Sequence, residues 1–263
     1  MTLYKEVIGN GPDVVLLHGW GLHGGIFEAT AAHLAGAFRV TCPDLPGHGR
    51  SPLQPRFTSL DELADAVAST LPEACTLVGW SLGGLAAMRL AAAGHPSVRR
   101  LVLVATTPRF VRGPDWEHGL EPAVVDDFAT GLREDFRQLV QRFLMLQARG
   151  DDQQRALIRQ LRARVFAHGE PVPAALEAGL GVLAGTDLRD SLGRIDLPTL
   201  VIAGTHDRLT PPAATEYLAA AIHGARRHLI TGASHAPFLS HPDAFHAGLD
   251  DFLSPPTLRT ASA

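Results

Sequence analysis

A chain of 263 residues with 46% apolar and 19% charged residues has the size and composition of one large folded α/β domain with room for an insertion, not of a disordered polymer. Its net charge of -4 argues against a general nucleic-acid binder, because phosphate neutralisation needs a basic face. No apolar run nears the roughly 20 residues of a membrane span, and the opening MTLYKEVIGNGPD lacks the apolar centre of a signal peptide. The expectation is therefore a soluble cytoplasmic protein, with Cys42 and Cys75 as buried free thiols.

In chain order, Asp13–His18 (DVVLLH) predicts a buried strand that ends in the turn His18-Gly19-Trp20-Gly21. Phe38–Cys42 predicts the next strand, and Asp44 just beyond it is expected to hold a tight turn. Ser59–Leu71 is amphipathic, and Ser59-x-x-Glu62 matches a capping box. Cys75–Gly79 predicts a strand, and the small-residue stretch Leu82–Ala93 a helix packed close behind it. Leu101–Ala105, Thr199–Ala203 and Arg227–Thr231 complete the apolar runs. Runs apolar at successive positions suit strands buried on both faces, and their alternation with helices implies a mainly parallel, doubly wound α/β sheet.

The alternation stops between residues 108 and 195. Phe136, Leu139, Val140, Phe143 and Leu144 recur at helical spacing, and Arg155–Val165 predicts another helix. This region reads as a helical cap inserted over the strand ends. Residues 1–107 and 196–253 then form the core, and 254–263 a disordered tail.

Gly79-Trp80-Ser81-Leu82-Gly83 matches G-x-S-x-G between a strand and a helix, the setting that makes Ser81 a candidate nucleophile. At a helix N-terminus the backbone dipoles favour a developing negative charge. The backbone N–H groups of Trp20 and Leu82 are the candidate oxyanion hole. A serine hydroxyl needs a base, and the base needs an orienting acid. Asp207 and His235 each follow a predicted strand, in the order nucleophile, acid, base. Among 13 histidines, His206 and His228 lack a small-residue turn after a terminal strand. His241 and His246 read as exposed surface, and His18 as a brace for its turn. Neither HExxH nor CxxC occurs, so no metal and no cofactor is expected.

The segments LLHGWGLHGGIFE, LVGWSLGGLAAM, QRFLMLQ, TDLRDSL and ASHAPFLSHP resemble the α/β-hydrolase superfamily. Within it they are most similar to the pimeloyl-[acyl-carrier protein] methyl ester esterases of biotin synthesis. The resemblance implies an α/β-hydrolase fold and hydrolysis of a methyl ester on a carrier-bound pimeloyl chain. It implies substrate contacts at Trp20, Ser81, Leu82, Phe143, Leu144, Met145, Leu146, Gln147 and His235. It also implies carrier docking at Arg142, Arg155 and Arg159, and a monomer. The carrier is acidic, and residues 133–164 hold eight arginines against four acids. Arg137 is offset by one from a further docking position. The competing expectations are a short-chain carboxylesterase acting on small-molecule esters without a protein partner, other reactions of the same triad such as haloperoxidase or C–C bond hydrolysis, and a non-catalytic receptor on the same scaffold.

Overall fold

The computed structural model describes residues 2–53 and 56–254; the expected tail beyond Ser254 lies outside the described residues. Seven described strands form one sheet: β1 (Lys5–Ile8), β2 (Asp13–Leu17), β3 (Arg39–Pro43), β4 (Cys75–Trp80), β5 (Val98–Val104), β6 (Thr199–Gly204) and β7 (Arg226–Ile230). Their order is β1-β3-β2-β4-β5-β6-β7. Every pairing is parallel except that of β1 with β3, in which Lys5 faces Pro43. β4 and β6 are buried along their whole length, as continuous apolar runs require when helices cover both faces.

The two edges differ from that pattern. All four residues of β1 are exposed, and its mixed sequence KEVI gives no apolar run from which a strand is predicted. β7 was expected to be buried on both faces, but only Ile230 is fully buried. With β6 as its one sheet neighbour, β7 leaves Arg226, Arg227 and Leu229 exposed and His228 half-buried.

The helices are α1 (Glu28–Leu34), α2 (Leu60–Ala68), α3 (Leu82–Ala92), α4 (Pro122–Gln147), α5 (Gln154–Arg164), α6 (Pro173–Gly185), α7 (Pro212–Ala221), α8 (Pro237–Ser240) and α9 (Pro242–Leu253). α2 carries the capping box: Ser59 Oγ accepts the Glu62 N–H, and the Glu62 carboxylate accepts the Ser59 N–H. α4, α5 and α6 all lie between β5 and β6. α4 breaks at Asp135, whose backbone leaves the helical region (φ -154°, ψ 91°). The Asp135 carboxylate then accepts the Gln138 N–H at 3.0 Å, capping the second half of the helix. No described helix is long and apolar enough to cross a membrane. Cys42 and Cys75 are free and buried, and burial pushes both thiols up to about 12.

The strand order positions the site. From β2 the chain steps to one side to form β3, and β4 lies on the other side of β2. In an open parallel sheet the carboxyl ends of two such strands face a crevice that no crossover fills. β2 ends at the turn bearing Gly19 and Trp20, and β4 ends at Ser81.

Candidate active site

Ser81 sits between β4 and α3 with φ +55° and ψ -116°. A non-glycine residue there costs about 1–3 kcal/mol and persists only when its surroundings fix it. Here the Ser81 N–H donates to Val104 O at 3.1 Å, and the Thr106 hydroxyl donates to Ser81 O at 2.9 Å. Two glycines make the bend possible. A Cβ on Gly79 would lie 2.5 Å from Gly83 O, and one on Gly83 would lie 2.6 Å from both Leu17 O and His18 O. The strand, the helix and the β2 turn therefore pack backbone against backbone.

The three sequence-predicted catalytic side chains meet. His235 Nε2 is 3.0 Å from Ser81 Oγ, and His235 Nδ1 is 2.9 Å from Asp207 Oδ2. Nδ1–H donates to the carboxylate, which leaves Nε2 to accept the serine proton. All three residues are buried, Ser81 being 5% exposed. Asp207 Oδ1 accepts the N–H groups of Leu209 and Thr210 at 2.8 and 3.0 Å, and Oδ2 accepts the Thr210 hydroxyl at 2.6 Å. Burial pushes the Asp207 carboxyl up, but the charge His235 can carry and the hydrogen bonds from His235 and Thr210 outweigh it. The carboxyl therefore lies below its usual range. Sequence reasoning missed Thr210; its only signal was a hydroxyl residue three positions after an aspartate in a turn.

Trp20 and Leu82 flank Ser81. A Cβ on Gly19 would lie 3.2 Å from Ser81 Cβ, so the β2 turn abuts the serine. Leu82 is the first residue of α3, and its N–H has no partner within the helix. The Trp20 indole N–H donates to Leu176 O of α6 at 2.8 Å, and its ring meets Phe143 of α4 edge-on at 5.0 Å. Phe143, Leu144 and Gln147 are buried, and Leu146 is half-buried. Met145 does not join them: it is 49% exposed, because five consecutive residues of a helix span more than its one inward face. Gln147 Oε1 is buried and has no hydrogen-bond partner among the described residues.

The remaining polar candidates have structural partners. His18 Nε2 accepts the Leu45 N–H, and Nδ1–H donates to Gly19 O, both at 2.8 Å. His48 repeats the device: Nε2 accepts the Gly21 N–H at 3.3 Å, and Nδ1–H donates to Pro46 O at 3.0 Å. Asp44 accepts the N–H groups of Gly24 and Arg50 at 2.7 and 2.9 Å, fixing its turn. His206 lies 3.8 Å from Asp152, and His228 donates to Ala244 O. His241 and His246 are half-buried, not exposed as expected. His241 pairs with the Ser240 hydroxyl, and His246 stacks on His33 of α1 at 4.1 Å. No described group of three or more His, Cys, Asp or Glu residues is arranged to hold a metal.

Arg142 on α4 and Arg155 and Arg159 on α5 are all exposed. None of them forms an ion pair among the described residues. Arg137, by contrast, is engaged by Glu170 through two bonds of 2.6 and 2.7 Å.

Residues 12–242 match the family described as alpha/beta hydrolase fold. The chain belongs to that family. This hydrolase is 44% identical over 253 residues to the pimeloyl-[acyl-carrier protein] methyl ester esterase of Chromobacterium violaceum, covering 96% of this chain and 98% of that protein. It is 44% identical over 252 residues to the protein of the same name from Stenotrophomonas maltophilia R551-3, covering 96% of both. Among solved structures, a bromoperoxidase from Bacillus anthracis superposes with a TM-score of 0.88 at 25% identity, covering 95% of each chain.

Proposed function

We propose that this hydrolase is a serine carboxylesterase that cleaves the methyl ester at the end of a pimeloyl chain carried by an acyl carrier protein, releasing methanol and a free carboxylate in biotin synthesis. The observation that carries the chemistry is the continuous relay Ser81 Oγ to His235 Nε2 and His235 Nδ1 to Asp207. Likeness to two curated esterases over nearly the full chain supports the substrate.

In this reading Ser81 Oγ attacks the ester carbonyl carbon as its proton passes to His235 Nε2. The carbonyl oxygen becomes an oxyanion facing the N–H groups of Trp20 and Leu82. Collapse breaks the bond to methoxide, which takes the proton from His235 and leaves as methanol. Water then attacks the pimeloyl-serine ester, gives a proton to His235, and the second collapse returns that proton to Ser81. Helices α4–α6 act as a cap. Trp20 and Phe143 wall the acyl chain, and the unpartnered Gln147 amide oxygen is available to a polar group among those apolar walls. The exposed Arg142, Arg155 and Arg159, which pair with no acid among the described residues, offer an acidic carrier a docking face on that cap. Two buried free thiols suit a reducing cytoplasm.

The test compares the methyl-pimeloyl carrier substrate with free methyl esters of several lengths. The carrier substrate should be turned over with the higher kcat/KM. Reversing charge with Arg155→Glu and Arg159→Glu together should lower that value about tenfold or more, through weakened electrostatic association, and leave the free esters unaffected. An unchanged rate on the carrier substrate would remove the docking face from the proposal. Equal rates on carrier-linked and free esters would favour a short-chain esterase with no protein partner.

A further inference from the structure

Asp151 lies in the turn between α4 and α5, is 5% exposed and forms no ion pair among the described residues. A carboxylate buried without a cation needs several hydrogen-bond donors to offset its lost hydration. Asp151 Oδ1 accepts the Gln153 N–H at 2.8 Å. Its Oδ2 accepts the Ser234 N–H at 2.8 Å and lies 2.9 Å from the Ser234 hydroxyl. Ser234 immediately precedes His235. The Ser234 hydroxyl is also 2.8 Å from Gln147 O, so its single proton serves one acceptor at a time while its N–H stays on Asp151. The His235 N–H itself donates to Gln147 O at 3.2 Å, and the Asp152 N–H donates to Gly232 O at 3.0 Å.

The loop that carries the general base is thus gripped from two directions. From the sheet side, the Trp80 indole N–H donates to His235 O at 2.8 Å, and Asp207 accepts the ring. From the helical side, the grip consists of the end of α4 and the Asp151 carboxylate. We infer that Asp151 is a positioning residue for catalysis: through Ser234 it fixes the height of the His235 ring over Ser81 and ties that height to the seating of α4 and α5. The inference rests on His235 being the general base. It adds a requirement that no motif around Ser81, Asp207 or His235 contains.

The test measures kcat and KM on a small methyl ester, with kcat expressed per Ser81 titratable by a fluorophosphonate, so that a misfolded fraction drops out. Asp151→Ala should lower kcat per titrated site about 10- to 100-fold with KM changed less than about twofold, since a 1 Å misplacement of a reacting group costs rate on that scale. Asp151→Asn keeps an acceptor for Ser234 and should recover most of the loss. Ser234→Ala keeps the backbone bond and should lose only a few-fold in kcat, about what one hydrogen bond contributes. If Asp151→Ala does not fold, Ser234→Ala decides. Wild-type kcat per titrated site in Asp151→Ala, or in Ser234→Ala where the first does not fold, even with a lowered Tm, would overturn the inference and leave Asp151 a role in folding alone. Turnover surviving in Ser81→Ala would overturn the triad, and this inference with it.

Discussion

A serine hydroxyl is nucleophilic only while a base can take its proton in the same step, so under the proposed function what matters at Ser81 is the state of the His235 ring. Asp207 sets that state by accepting Nδ1–H at 2.9 Å, which forces the free lone pair onto the nitrogen 3.0 Å from Ser81 Oγ. Because its carboxyl lies below the usual range, it stays ionised throughout the range in which an esterase works. Asp207→Asn should fold normally yet lower kcat by about 10⁴-fold, because the amide can donate to Nδ1 and favour the wrong tautomer. Single-turnover kinetics on a methyl ester check this, and a loss under tenfold would move the acid role to another carboxylate. These three residues were legible in the sequence because each ends a strand within a short motif. Asp151 was not: it is one of two adjacent acids outside any motif, 83 residues from Ser234, and only the folded chain brings the two together.

At the scale of elements, legibility followed burial. Buried runs such as Cys75–Trp80 and Thr199–Gly204 carry a continuous apolar signal, whereas β1 has all four residues exposed and is specified by its pairing with β3. The expected helix at Phe136–Gln147 is the second half of α4; the join to the first half at Asp135 depends on how the two segments pack. The strand–turn–helix at Ser81 was readable for another reason, since its glycines are demanded by close approach. Gly83→Ala tests this. The added methyl meets the Leu17 and His18 carbonyl oxygens at 2.6 Å, and main chain of a central strand cannot swing aside as a flexible side chain can. Overpacking of this kind costs about 1–3 kcal/mol, to be measured by urea unfolding. Activity should fall further than stability, because relief requires β2 and the Trp20 turn to move away from Ser81. A fully active Gly83→Ala enzyme would contradict the backbone contact.

For the whole molecule, the buried histidines govern behaviour in acid. His18 is held well below its ordinary value by burial and by the nearby His48. Burial likewise lowers His48 to about 4, and it lowers His23, which His168 lowers further. The hydrogen bonds agree with neutral rings, because Nε2 of His18 and of His48 each accepts a backbone N–H and has no lone pair to spare for a proton. In the unfolded chain the same rings titrate near 6.5. Below that pH the unfolded state therefore binds protons that the folded state refuses, and the stability present above about pH 6.5 declines as pH falls toward 4. Each ring kept neutral contributes a slope of about 1.4 kcal/mol per pH unit in that window. The lowered Asp207 carboxyl adds a loss of the same sign, but only below about pH 4, where unfolded carboxylates take up protons. Urea midpoints measured at pH 7.5, 6.5, 5.5 and 4.5 should stay level between the first two and then fall progressively. His48→Gln, which keeps one donor and one acceptor but cannot be protonated, should flatten that fall. Because His18 and His48 brace the turn that carries Trp20, activity should fail along with stability. A midpoint constant from pH 7.5 to 4.5 would show that the fold accommodates these rings in their charged form and that the turn does not depend on their neutrality.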